Sequence, residues 1–206
     1  MSTRDERAGA TRDNLIRVAR ELFGAHGYSG VGTELIVERA GVTRGSLYHH
    51  FDGKRELLRA VYEQLEAEVV ADLAGLAGTA QSGDLMDALY AGVRAFLDTC
   101  TDREFIQIAL LDAPTVLGWA QWREIAERYG LGLITAGLTA AMDAGLVRRQ
   151  PVRPLALVLG AAIDEAAMYI ADATDPATAR DEMEAVLIGL LDGLREAPDQ
   201  RAPSGR

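Results

Sequence analysis

Between Gly41 and Phe51 the chain reads Gly-Val-Thr-Arg-Gly-Ser-Leu-Tyr-His-His-Phe. Thr43, Arg44, Gly45, Tyr48 and His49 bring together a hydroxyl, a guanidinium, a position without a side chain, a phenol and an imidazole. These are groups for holding phosphates and reading base edges. Arginine is the commonest reader of guanine, so Arg44 is the candidate for base contact. Gly45 lets backbone approach a base closely. Thr43, Tyr48 and His49 suit phosphate oxygens, contacts that fix register rather than sequence. Lys54 follows in the first turn of another helix, where the helix dipole disfavours a cation. A phosphate at that place would reverse the balance, because free N–H groups and the ammonium both favour it.

The elements that must position these groups are legible from spacing. Leu47 and Phe51 lie four apart, on one side of a helix, and can anchor it while the polar groups project elsewhere. Thr33 to Ala40 reads as a preceding helix with Ile36, Val37 and Ala40 inward. Gly41 suits its left-handed end, and Thr43 is an N-cap type. Two helices joined by a short turn containing Gly form the helix-turn-helix, whose second helix enters the major groove. Either Gly32 or Thr33 caps the first of the pair, and Thr33 offers its hydroxyl to a phosphate. An earlier helix, Thr11 to His26, carries the stripe Leu15, Val18, Ala19, Leu22 and Phe23. Met1 to Ala10 reads as a frayed arm. Asp52 is expected to cap a further helix with Leu57, Leu58, Val61, Tyr62, Leu65 and Val69 in period to about Leu76, roughly 30 Å long. Such a rod can carry a movement of the body into the head.

Residues 11–62 resemble the DNA-binding domain of the TetR (tetracycline repressor) family of bacterial regulators. The string from Ala40 to Leu58, Ala-Gly-Val-Thr-Arg-Gly-Ser-Leu-Tyr-His-His-Phe-Asp-Gly-Lys-Arg-Glu-Leu-Leu, carries the likeness. The resemblance implies an all-α protein: a three-helix helix-turn-helix domain joined by a long helix to an α-helical body that binds a ligand and dimerises. It also implies a phosphate contact at Lys54. On this reading 1–55 is the head, with 1–10 a disordered arm, 56–197 is the body and 198–206 is a disordered tail. Gly32 stands where the family usually has Ser or Thr, which weakens the contact carried over to Thr33.

In the body, Gly75 to Gly83 reads as a loop. Helices are expected over Asp84 to Cys100, over Arg103 to Leu111 capped by Asp102 and ended by Pro114, and over Leu117 to Ala144. Gly130, Gly132 and Gly137 inside the last of these each cost roughly 1 kcal/mol relative to Ala. They point to a bend, close packing or room for a ligand. Pro154 to Ala173 is apolar nearly all round, so it must be buried on more than one side. Asp175-Pro176 starts the final helix, with Met183, Val186, Leu187, Leu190, Leu191 and Leu194 in a stripe. By the resemblance, helices 154–173 and 176–196 form a homodimer interface. By the same resemblance a small-molecule effector lies between the long helices, with Phe96, Phe105, Trp119, Trp122, Tyr129 and Tyr169 as candidate lining.

Composition bounds the alternatives. The net charge is −10, yet residues 1–60 hold 10 Lys+Arg against 8 Asp+Glu, while residues 61–206 hold 11 against 23. A mildly basic head on an acidic body suits double-stranded DNA bound through placed contacts. The one cysteine, Cys100, forms no internal disulfide and fits a reducing cytoplasm. No signal peptide and no run of 18 apolar residues is present, so no membrane is expected. His49 and His50 are adjacent and make a poor metal pair. No phosphate-binding loop, dinucleotide fingerprint or Cys-x-x-Cys occurs, so neither an enzyme nor a cofactor is expected. Asp164-Glu165 within an apolar helix can pair with arginine, meet a polar ligand or face solvent. The expectation is a cytoplasmic, ligand-released homodimeric repressor on a near-palindromic operator. The alternative is a helical ligand-binding or structural protein whose head meets a protein partner.

Overall fold

The computed structural model describes residues 3–79 and 85–195. The tail 198–206, the start of the Asp84 helix and the second half of the expected Gly75–Gly83 loop lie outside the described residues. Among the described residues the chain is helical, and its only extended pairing is a bridge between Val147 and Arg195.

The head is built from α1 (Thr3–His26), α2 (Thr33–Ala40) and α3 (Arg44–His50). The first helix begins at Thr3, eight residues before the expected start, so the arm is helical from that point. Only its later turns carry the apolar stripe. Leu15, Val18, Ala19, Leu22 and Phe23 are buried against Ile36, Leu47 and Phe51.

The helix α4 (Lys54–Thr79) is the expected rod, about 39 Å at 1.5 Å per residue. It continues past Gly75, where a loop was expected. Gly53, with φ 86°, precedes it, and its carbonyl accepts the Leu57 N–H at 3.2 Å. The cap is therefore one residue beyond the expected Asp52. Leu57, Leu58, Val61 and Leu65 belong to the head core, whereas Tyr62 is buried in the body core. The rod thus lies in both.

The body begins with α5 (Leu85–Thr99). Then α6 (Arg103–Phe105), a π-helical segment (Ile106–Asp112) and α7 (Ala113–Leu117) run on without a turn between them. Asp102 caps this run by accepting from the Phe105 N–H at 2.9 Å. Pro114 was expected to end the helix and does not. A proline ring clashes with the carbonyl four residues back and lacks an N–H. The π-helical widening just before it moves the ladder to five residues, as in the bond from Ala113 N–H to Ile108 O. The run ends instead at Gly118, φ 86°, so α8 (Trp119–Asp143) starts two residues later than expected.

Finally α9 (Val152–Asp172) and α10 (Pro176–Asp192) close the body. Asp175 caps α10 through the Ala177 and Thr178 amides, with Pro176 following it. By length and composition alone α9 could cross a membrane. It packs Ala156, Leu159, Ala166, Ala167 and Ile170 inward, as the core helix of a folded body does.

Candidate nucleic-acid interface and ligand cavity

The turn between α2 and α3 is made by local chemistry. Gly41 takes φ 66°, and the N–H groups of Gly41 and Val42 return to the carbonyls of Glu38 and Val37. Thr43 is extended, and its hydroxyl accepts the Ser46 N–H at 3.2 Å. On α2 the cap position is Gly32, which has no side chain to offer. Thr33 is the first helical residue, and its hydroxyl donates to Glu34 at 3.2 Å.

Leu47 and Phe51 are buried, which turns the opposite side of α3 outward. Thr43, Arg44, Gly45, Tyr48 and His49 are all exposed there, and the half-buried Thr33 lies beside them on α2. Arg44 stands over the Tyr48 ring, 5.6 Å from its centroid, and pairs with Glu34 at 2.9 Å. The backbone amide of Glu34, the Thr33 hydroxyl and Arg44 together hold the Glu34 carboxyl below its ordinary range. Glu34 was not among the expected site residues. A signal for it existed: an acid in the first turn of the helix that faces an arginine ten positions later.

Lys54 opens α4, in the first turn as expected, and its charge is already met within the head. Its ammonium donates to the carbonyls of Tyr28 and Val31, both at 2.8 Å, and sits 3.9 Å from the centroid of the Tyr28 ring. Burial lowers its pKa, offset in part by Asp112. The cation disfavoured at the helix start is stabilised here by two carbonyl oxygens and an aromatic face of the same chain. The Tyr28 N–H in turn donates to Asp112 Oδ2 at 2.7 Å. This links the start of α4, the corner after α1 and the π-helical segment.

Further bonds join head and body along the same seam. Arg20 pairs with Glu104 at 2.7 Å, and Arg55 donates to the Leu117 carbonyl at 2.9 Å and to Gln121 at 2.8 Å. Ile108 is buried in the head core, whereas its neighbours Phe105, Ala109 and Leu110 lie in the body core.

The body encloses a cavity of about 400 Å³ between α4, α5, α8 and α9. Phe96, Phe105 and Trp122 line it, as expected. Trp119, Tyr129 and Tyr169 do not. Trp119 is half exposed and packs its ring on that of Trp122, while Tyr169 faces solvent and donates to Glu182 at 3.0 Å. Tyr129 packs against the core beside the cavity. Gly130 and Gly137 line the space, so two of the three α8 glycines leave room there. A Cβ on Gly137 would come within 2.8 Å of Leu89 Cδ2.

One end of this apolar space is polar. Glu66, Arg123, Glu127 and Asp164 line it. Burial pushes the Glu66 carboxyl up to about 7, opposed by the Tyr62 hydroxyl beside it, and pushes Asp164 up to about 6. Arg123 donates to Glu127 at 2.9 Å. Glu165 is exposed, so of the Asp164-Glu165 pair only the aspartate turns inward. Sequence reading missed Glu66, although it lies four residues after Tyr62 on the inward face of α4. Cys100 is fully buried, as expected for a core residue.

A helix-turn-helix head fused through one long helix to a cavity-bearing helical body defines the class of protein. Residues 15–61 match the family described as bacterial regulatory proteins, tetR family, and residues 86–194 match the tetracyclin repressor-like C-terminal domain. A crystal structure of a TetR-family transcriptional regulator from Pectobacterium atrosepticum is 30% identical. It covers 96% of this chain and 100% of its own, with a TM-score of 0.85. The transposon Tn10 TetC protein of Escherichia coli is 28% identical over 127 residues, 62% of this chain and 63% of TetC. The regulator SrpR of Pseudomonas putida is 43% identical over 70 residues, 32% of this chain and 33% of SrpR. The chain thus spans less than two thirds of the length of these two curated relatives. It belongs to the TetR family of transcriptional regulators, a family of regulators rather than enzymes.

Proposed function

We propose that the chain is a sequence-specific repressor that acts as a homodimer on a near-palindromic operator and is released by a small molecule in the body cavity. The observation that carries this reading is the two-sided α3: Leu47 and Phe51 are buried, while Thr43, Arg44, Gly45, Tyr48 and His49 are exposed together. Arg44 reads a base, Gly45 admits close approach, and Thr33, Thr43, Tyr48 and His49 hold phosphates. Lys54 keeps the head's corner on α4 rather than serving chiefly as a phosphate clamp. Two heads meet half-sites about 34–36 Å apart, or a multiple of that.

The Phe105–Leu110 stretch touches both the cavity and the head, so a ligand that moves it shifts the corner held by Asp112, Tyr28 and Lys54. A ligand moves this equilibrium only by its difference in affinity for the two states. The test is fluorescence anisotropy on DNA from upstream of the reading frame, in a salt series against scrambled competitor. Binding that rises as salt falls and resists the competitor supports the reading. Failure there and in a random-oligonucleotide selection would leave a head that binds a protein partner.

A further inference from the structure

The polar end of the cavity carries a charge problem that the fold alone leaves unsolved. Glu66 is 8% exposed and faces the cavity. The Tyr62 hydroxyl beside it favours its ionised form, but that hydroxyl donates at 3.5 Å to the Trp122 carbonyl. Among the described residues no Arg, Lys or His comes within ion-pair distance of Glu66 or Asp164, and Arg123, whose charge reaches Asp164, is bonded to Glu127. Buried carboxylates are strongly disfavoured unless paired. Three acids and one base line the space, so the polar end is net negative when all are ionised. The remaining wall is apolar, formed in part by Phe96, Phe105, Trp122 and Leu131.

We propose that the cavity takes an amphipathic amine, its apolar tail along that wall and its protonated nitrogen between Glu66 and Asp164. This rests on the reading of the cavity as the effector site. An ammonium carries three donors and no acceptor, which matches two carboxylates short of donors. An alcohol brings one donor and no charge. A carboxylic acid meets like charge from Glu66, Glu127 and Asp164. The titratable groups lining this end are Glu66 from α4, Arg123 and Glu127 from α8 and Asp164 from α9, while Tyr62 from α4 and Cys100 after α5 are buried behind the wall within reach of the Glu66 and Asp164 charges. Of these, burial pushes the Glu66 carboxyl up to about 7 and the Asp164 carboxyl up to about 6. An amine therefore binds more tightly as pH rises through that range, since the amine itself stays protonated there.

Calorimetric titration of the full-length protein with decylamine, decanol and decanoate, below their micellar concentrations, tests this. Near pH 8 decylamine is expected to bind at least about tenfold more tightly than decanol, with decanoate weakest, and its advantage shrinks once the carboxyls are protonated at about pH 5. Glu66→Gln and Asp164→Asn should each remove about tenfold of the amine's advantage and leave decanol within about twofold. Equal or tighter binding of decanol or decanoate to the wild type overturns the amine, as does binding of none of the three. The wild-type series decides this even where a variant fails to fold. Release of DNA is read separately by anisotropy. An amine that binds without releasing DNA upholds the ligand class and counts against the release mechanism, whereas release by decanol or decanoate does the reverse.

Discussion

Arg44 on α3 is held by Glu34 on α2 at 2.9 Å, so the residue proposed to read a base is occupied by an acid of its own head. Both side chains are exposed, and such a pair adds little to stability. Its consequence falls on binding, because Arg44 must exchange Glu34 for DNA, and the Glu34 carboxylate sits between Arg44 and Thr33, two groups proposed to touch DNA. Glu34→Gln should tighten DNA binding several-fold on specific and scrambled sequences alike and steepen the salt dependence. Weaker binding of the variant in anisotropy would instead make Glu34 a device that aims Arg44.

Arg44→Ala should lose about 1–3 kcal/mol of discrimination at one base pair while phosphate contacts keep the register. Binding to a library of single-base operator variants reads this directly. An unchanged preference profile removes Arg44 from base readout.

The structure alters what Lys54 is expected to do. Its two bonds to Tyr28 O and Val31 O are charge-assisted. Lys54→Met keeps most of the stem and loses both, so it should destabilise the fold by about 2–3 kcal/mol. The salt slope of DNA binding should stay unchanged. A slope reduced by about one with an unchanged Tm would return Lys54 to the phosphate.

Much of the head was legible because its signals are local. The glycine of the left-handed end, the threonine cap and the Leu47–Phe51 spacing each act within a few residues. What was not legible depends on distant partners. The Lys54 ammonium finds carbonyls 23 and 26 positions earlier, and no spacing announces them. Pro114 reads as a stop because a proline breaks an α-helix, but a wider π-helical turn absorbs it. Trp119 and Tyr169 share the residue type of a cavity wall, but the direction of the helix face decides, and it turns them to solvent. Glu66 was passed over because a charged residue in an apolar stripe reads as an edge residue until the opposing helices are in place.

Glu66 makes stability depend on pH in a direction opposite to a salt-bridged acid. Its folded carboxyl titrates at about 7, well above the unfolded value of about 4.3. Between those values the folded state holds the extra proton, so stability falls as pH rises across the window. The loss is nearly complete by about pH 8 and amounts to on the order of 4 kcal/mol. Glu66→Gln should therefore raise the Tm near pH 8 and leave it almost unchanged near pH 4. Thermal melts across the range check both, and a variant less stable near pH 8 would mean that the ionised carboxylate has a partner in the fold.

Val158 on α9 and Val186 and Leu190 on α10 are large apolar residues left 66%, 56% and 49% exposed, beside the half-exposed Tyr169. Single exposed apolar residues need no explanation, but a group on two adjacent helices marks an interaction surface. A second copy of the chain is the occupant proposed here, because a near-palindromic site needs two heads at fixed spacing. Val158→Asp and Leu190→Asp place charges on that surface without touching the buried Leu187 and Leu191. Each should convert the dimer to a monomer by light scattering while the helical circular dichroism is kept. Operator affinity should then fall by on the order of 100-fold, since each head binds alone and the effective concentration of the second is lost. A monomer that keeps full affinity would show that one head suffices, and a variant that stays dimeric would put the interface on another face.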